Sequence, residues 1–140
     1  MLVLDTDHLS ALQWRESEDS WRLRDRLNES LETKVTTIVS YEEQCRGWLN
    51  YVRQARSVEQ QMDAYDKLAT HLKFYLSITV LDFDRPAFEE YQRLSKSKLN
   101  VGPLDLKIAS ITLAQDATLL SRNLEDLEKV PGLKVEDWLT

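Results

Sequence analysis

Hydrophobic positions along the chain follow two rhythms. Five short apolar or β-branched runs, Leu2 to Asp5, Val35 to Val39, Ser77 to Leu81, Thr118 to Ser121 and Leu133 to Val135, are too short for helices and carry residues that strands favour. Between them the spacing changes. Val58, Met62, Tyr65, Ala69, Leu72 and Leu76 alternate steps of four and three, which predicts a helix with this stripe buried. Leu23, Leu27 and Leu31 repeat at every fourth position after Trp21, and Phe88, Tyr91 and Leu94 at every third after Pro86, predicting two further amphipathic helices. Ile108, Ala109, Ile111, Leu113 and Ala114 form a nearly all-apolar segment, which predicts a helix buried on most of its surface.

Strands alternating with helices require crossover connections. The fold class is therefore α/β: an α/β/α sandwich with a short-stranded, mainly parallel central sheet covered on both faces. The scarce turn formers, three Gly and three Pro, fall where this scheme needs them, at Gly102-Pro103 before the apolar helix and Pro131-Gly132 before the last strand. A length of 140 residues at 42% hydrophobic content suits one core, so residues 1–140 are expected to form a single domain. No charged leader precedes an apolar run, and no apolar run approaches the roughly 20 residues of a membrane span, so a cytoplasmic protein without membrane contact is expected. The single cysteine, Cys45, cannot close an internal disulfide or supply a thiolate zinc site alone, and reads as a small buried residue. The tryptophans at 14, 21, 48 and 138 read mostly as core, with Trp14 and Trp48 near enough to the presumed site to serve a partner surface.

Charge narrows the function. A formal charge of -6 argues against a protein that coats nucleic acid non-specifically, since such binding depends on Lys and Arg neutralising phosphates. A nucleic-acid enzyme would need a cation beside its acidic groups. In an open parallel sheet, ligands bind beyond the carboxyl ends of the strands. Asp5 ends the first strand, Glu43 is expected in the first turn of the helix after the second, Asp105 opens the apolar helix, and Asn123 follows the fourth strand just past Ser121.

Each of these residues also has a local structural explanation. Thr6 or Asp7 can cap a helix beginning at His8, Ser40 and Glu43 have capping-box spacing, and Asp105 is an anion near a helix N-terminus. Convergence of several carboxylates on one rim changes the balance, because they repel one another unless a cation intervenes. Oxygen donors without a His or Cys cluster suit Mg²⁺ or Mn²⁺ rather than zinc. His8 reads as a packing or hydrogen-bonding residue, and His71 carries no assigned chemistry.

Four segments then carry a family resemblance. Leu4-Asp5-Thr6-Asp7-His8-Leu9-Ser10, Ile38-Val39-Ser40-Tyr41-Glu42-Glu43-Gln44-Cys45-Arg46-Gly47, Gly102-Pro103-Leu104-Asp105-Leu106-Lys107-Ile108-Ala109 and Leu120-Ser121-Arg122-Asn123 with Val130-Pro131-Gly132-Leu133 resemble, in order, the motifs of PIN-domain VapC toxins. The resemblance implies a PIN-like fold and an endoribonuclease of a toxin–antitoxin pair, using Mg²⁺ or Mn²⁺, usually dimeric, and held inactive by a VapB-like antitoxin. It also implies that Asp5, Glu43 and Asp105 occupy the three acidic, metal-binding positions. Asn123 falls on a fourth position that is often Asp, Ser121 stands where Thr is commoner, and Glu42 matches less well than Glu43. Thr6, Ser121, Arg46, Lys107 and Arg122 lie beside these motifs and are candidates to orient substrate or meet its phosphates, with Lys96 and Lys98 as a further basic pair.

The principal alternative is a non-catalytic PIN-like module whose acidic pocket docks a basic partner segment. A nucleotide hydrolase is disfavoured by the lack of a Gly-rich phosphate loop.

Overall fold

Each apolar run overlaps a strand, and the alternation of side chains along it decides which layer each residue joins. The computed structural model describes residues 1–140 as β1 (Leu2–Leu4), α1 (Thr6–Trp14), α2 (Glu18–Glu29), β2 (Lys34–Thr37), α3 (Ile38–Gln54), α4 (Val58–Leu76), β3 (Thr79–Leu81), α5 (Arg85–Lys96), α6 (Pro103–Ala114), β4 (Thr118–Leu120), α7 (Leu124–Leu127) and β5 (Lys134–Glu136). The five strands form one sheet in the order β3-β2-β1-β4-β5, and every neighbouring pair is parallel. Successive side chains of a strand point to opposite faces. Thus Val3 and Leu119 enter one core with Leu106, Ile108 and Ile111 of α6 and Leu94 of α5. Leu2, Leu4 and Leu120 enter the other, with Leu9 of α1, Leu23 and Leu27 of α2, and Trp138 and Leu139. This is the expected α/β/α sandwich.

The topology also selects a place for a site. From β1 the chain builds outward to β2 and β3 on one side, then returns to add β4 and β5 on the other, so the direction of winding reverses between β1 and β4. Such a switch point leaves a crevice beyond the carboxyl ends of the two strands. Asp5 and Ser121 are the residues that follow them.

Several local expectations are corrected. The apolar run of β2 continues to Val39 in sequence, but the strand ends at Thr37, whose hydroxyl accepts the Ser40 N–H as the cap of α3. Leu31 lies beyond the end of α2 and is fully exposed, while Trp21 is half exposed. Cys45 is only partly buried, with Sγ 3.4 Å from Nε2 of the buried His71. Of the four tryptophans, Trp138 alone is buried.

The largest difference concerns α4. Its boundaries are those the spacing predicts, yet the expected stripe faces solvent: Val58 is 81% exposed, Met62 64%, Tyr65 60%, Leu72 55% and Leu76 78%, and Ala69 is exposed too. The helix packs on α3 and β3 through a different face, with Ala64, His71 and Tyr75 as its buried residues. Apolar periodicity marks a face that needs covering, without saying by what. No helix is long and apolar enough to cross a membrane.

Candidate active site

Asp5 sits where β1 stops. Its backbone N–H donates to the Leu120 carbonyl (3.1 Å), tying the ends of β1 and β4 together. The extended backbone there (φ -79°, ψ 180°) makes Asp5 the N-cap of α1, and Oδ1 accepts the His8 N–H at 3.0 Å. The cap is therefore Asp5, replacing the expected Thr6 or Asp7. The same oxygen lies 3.1 Å from His8 Nδ1, while His8 Nε2 accepts the Trp138 N–H at 3.2 Å. Since Nε2 is the acceptor, the proton of the neutral ring is on Nδ1 and points at Asp5. His8 is completely buried and Asp5 is 8% exposed.

Glu43 reaches the same crevice from α3. Because α3 starts at Ile38, Glu43 lies in its second turn and takes no part in a capping box with Ser40. Its Oε1 instead accepts the Thr6 hydroxyl at 2.9 Å. The neighbouring Gln44 fixes α3 from the other side, donating to Ser10 Oγ and Gln13 Oε1 of α1 (3.2 Å each) and accepting the Tyr75 hydroxyl of α4 at 2.6 Å.

Asp105 projects from the first turn of α6, which opens with Gly102 at the cap and Pro103 as its first residue. Its Oδ2 accepts from Asn123 Nδ2 at 2.8 Å, and the same amide nitrogen lies 3.2 Å from Asp126 Oδ2. Two carboxylates orient the NH2 of Asn123 toward themselves, so this side chain serves as a donor between them. As the side chain stands, its amide nitrogen, rather than its oxygen, faces the carboxylates. Ser121, 1% exposed, holds the turn by accepting the Asn123 backbone N–H on Oγ (3.1 Å).

Asp5, Thr6, Asp7, Glu43, Asp105, Ile108 and Asn123 line one open cavity of about 310 Å³. Four carboxylates line it, with no Lys or Arg. Burial first, and the charges of Asp105, Asp5 and Asp7 next, push the Glu43 carboxyl above its ordinary range, against the lowering effect of the Thr6 hydroxyl. Asp105 is raised in the same way, by burial and then by Asp5, Asp126 and Asp7, with the Asn123 amide opposing. Asp126, outside the cavity, is lowered by Asn123 and Lys129.

The carboxylates share a cavity but do not converge on one point. No group of three or more His, Cys, Asp or Glu side chains is gathered closely enough to seat an ion as the side chains stand. Each carboxylate is engaged by an internal partner: His8 holds Asp5, Thr6 holds Glu43 and Asn123 holds Asp105. The donor set still fits a hard divalent cation, being oxygen-rich, anionic and mutually repelling. Seating one requires these side chains to leave the positions they hold here.

Asp7, within the cavity, and Asp126, beside it, are acidic residues that the sequence pattern does not assign to the site. Asp7 stands three residues after the end of β1 and reads as a cap; Asp126 belongs to the short α7, which apolar periodicity does not reveal. Of the basic candidates, none lines the cavity. Arg46 is paired with Glu42 on the exposed side of α3, Lys107 lies 5.8 Å from the Tyr91 ring centroid, and Arg122 is exposed beside Asn123. Lys96 and Lys98 are exposed around the end of α5. A second groove of about 360 Å³ shares Thr6 and Glu43 with the acidic cavity and is walled by Trp14, Trp48 and Tyr51, the two tryptophan rings 4.9 Å apart.

Comparison with known proteins places this geometry. The family model described as the PIN domain matches residues 2–133. The chain is 29% identical over 84 residues to the tRNA(fMet)-specific endonuclease VapC of Salmonella typhimurium, covering 57% of this chain and 64% of that protein. It is 28% identical over 91 residues to ribonuclease VapC2 of Rickettsia felis, covering 62% of this chain and 63% of that protein. Neither match reaches two thirds of the relative's length. Among solved structures, DNA-bound VapBC from Salmonella typhimurium superposes with a TM-score of 0.75 at 23% identity, over 98% of this chain and 97% of that one. VapBC2 from Rickettsia felis bound to a promoter DNA fragment gives 0.73 at 21% identity over 98% of both chains. At these identities the superpositions establish the shared fold.

Proposed function

The chain belongs to the PIN-domain family, and on that premise we propose that residues 1–140 form a single PIN domain that hydrolyses RNA phosphodiester bonds with a divalent cation, as the toxin of a toxin–antitoxin pair. One observation carries this reading: four carboxylates without a basic side chain occupy the cavity at the sheet's switch point. Such a pocket repels a phosphate unless a cation comes with it. The names of the two sequence relatives, an endonuclease and a ribonuclease, supply the reaction class.

Asp5, Glu43 and Asp105 are the residues that would hold Mg²⁺ or Mn²⁺. When bound, the ion supplies positive charge at the scissile phosphate and acidifies a coordinated water. The chain's own groups do the rest. His8 keeps the Asp5 carboxylate aimed past the end of β1. Asn123 steers Asp105 through its amide N–H, with Ser121 fixing the Asn123 backbone. Thr6 holds Oε1 of Glu43, leaving Oε2 free to face the ion. Arg122, exposed next to Asn123, is the basic residue best placed to meet a substrate phosphate, because Arg46 is already engaged by Glu42.

The substrate is RNA in the cytoplasm, and the partner is a VapB-like antitoxin whose inhibitory segment occupies the groove of Trp14 and Trp48, contiguous with the acidic cavity. The test is cleavage of an RNA by purified, partner-free protein. Activity should require Mg²⁺ or Mn²⁺ and disappear in Asp5→Asn; activity equal in that variant belongs to a contaminant and defeats the nuclease reading.

A second reading, a non-catalytic module docking a basic segment, is favoured by the internal hydrogen bonds that occupy all three carboxylates. It requires that an Arg-bearing peptide bind the wild type and that divalent ions leave RNA intact.

A further inference from the structure

We propose that Gln44 and Tyr75 are positioning residues for the acidic cavity: their hydrogen bond locks α3 in register along α1 and so sets how far the backbone carrying Glu43 stands from the backbone carrying Asp5. The inference rests on the metal-dependent reading above and extends it to two side chains that line no part of that cavity. A carboxylate can swing to meet an ion, but the helix that carries it must already lie at the right distance. Three hydrogen bonds between α1 and α3 set that distance: Thr6 meets Glu43, and Ser10 and Gln13 both meet Gln44. Positions 6, 10 and 13 are separated by steps of four and three, so they share one face of α1. The helix itself begins at the Asp5 cap. Trp14 and Trp48 close the far end of the contact, their rings 4.9 Å apart. Directional bonds of this kind fix a register that apolar surfaces alone would let slide.

Burial makes Gln44 informative. An amide taken out of water is unfavourable unless its polar atoms are paired, and an aliphatic side chain would fill the same place more readily. At 6% exposure Gln44 has its nitrogen engaged by Ser10 and Gln13 and its oxygen by the Tyr75 hydroxyl at 2.6 Å. What the amide adds is direction. Tyr75 is itself buried, its ring held edge-on by Tyr41 and His71, each with its centroid 4.8 Å away. Burial raises its hydroxyl well above the ordinary range, so it stays protonated and remains a donor. Since Tyr75 belongs to α4, the bond anchors α3 to a third helix from the side opposite α1. Uncharged and outside the cavity, both residues act on an ion only through where Glu43 stands.

Titration with Mn²⁺, followed by the electron paramagnetic resonance signal of the free ion, tests the inference without RNA. Gln44→Met keeps the length of the side chain and removes its bonds to Ser10, Gln13 and Tyr75; the Mn²⁺ dissociation constant should rise roughly 10- to 100-fold. Tyr75→Phe removes one hydroxyl and should raise it about three- to tenfold. Two further variants separate positioning from general stability. Combining Gln44→Met with Tyr75→Phe leaves neither member of the pair orphaned, so the melting temperature should be no lower than that of Gln44→Met, while Mn²⁺ affinity stays as weak. Leu27→Ala, a core truncation in α2, should lower the melting temperature and change Mn²⁺ affinity by less than about twofold. In RNA cleavage at a fixed, sub-saturating Mn²⁺ concentration, kcat should fall in Gln44→Met and Tyr75→Phe with KM unchanged. Wild-type Mn²⁺ affinity in both single variants, or affinity that recovers together with stability in the double variant, overturns the proposal. A wild type that binds Mn²⁺ without cutting RNA defeats the nuclease reading alone, and the titration still decides the role of Gln44 and Tyr75; a wild type that binds no Mn²⁺ defeats both.

Discussion

His8 joins Asp5 to a backbone segment 130 residues beyond itself: one ring nitrogen lies 3.1 Å from Asp5 Oδ1 and the other accepts the Trp138 N–H at 3.2 Å. The first strand and the last residues of the chain are thereby coupled through one buried imidazole. His8→Leu keeps the volume roughly constant and removes both bonds, leaving the Trp138 N–H unpaired in a buried place. The expected loss is about 1–3 kcal/mol in urea unfolding, the cost of an orphaned buried donor. Any cleavage activity should fall further than substrate affinity, because Asp5 loses its orientation; an unchanged unfolding midpoint would remove His8 from this role.

Glu43 predicts a pH effect of definite sign. Its carboxyl is raised above the ordinary 4.5, so the folded protein binds that proton more tightly than the unfolded chain. Stability from this group is present below 4.5, declines as pH rises toward the raised value, and stays lost above it. Glu43→Gln, which keeps an oxygen for Thr6, should raise the metal-free melting temperature by roughly 1–4 °C at neutral pH, a modest change because water screens this half-open site. The gain should vanish at about pH 4. An equal gain at both values would contradict the electrostatic cause.

Divalent ions should act in the opposite direction. Mn²⁺ at a large excess over its dissociation constant should raise the melting temperature of the wild type at neutral pH, by mass action on the folded state. Asp5→Asn and Asp105→Asn should lose most of that shift, the latter less completely because its helix N-terminus already favours the anion. Differential scanning fluorimetry with and without Mn²⁺ reads all three. Identical shifts in wild type and Asp5→Asn would exclude Asp5 as a ligand.

Asn123 donates to both Asp105 and Asp126. Asn123→Asp replaces that donor with another anion, so the metal-free protein should melt several degrees lower while its Mn²⁺ shift grows. The two changes must appear together: a lower melting temperature with no larger shift would mean that position 123 lies outside the ion's reach.

Much of this architecture was legible from the chain. Leu2–Leu4 and Thr118–Leu120 read as strands because β-branched and aliphatic runs of that length have no other stable use, and Asp5, Asp105 and Asn123 read as site residues because parallel sheets bind ligands beyond strand ends. Local competition was less legible. Thr37 won the cap of α3 from Ser40, shifting Glu43 by a turn and freeing it for Thr6, and such choices depend on backbone angles that side-chain patterns leave open.

By itself the sequence determined the alternation of strand and helix, the candidacy of Asp5, Glu43 and Asp105, and the apolar period of α4, since each depends on spacing of about one element's length. Only the tertiary structure decided that His8 grips Asp5 from the far end of the chain, that Asn123 turns its NH2 toward Asp105, and that the stripe from Val58 to Leu76 faces outward. Those are relations through space. Hydrogen-bond partners are chosen by proximity after folding, and an apolar face is satisfied equally by its own chain or by another, so a one-dimensional pattern cannot distinguish between them.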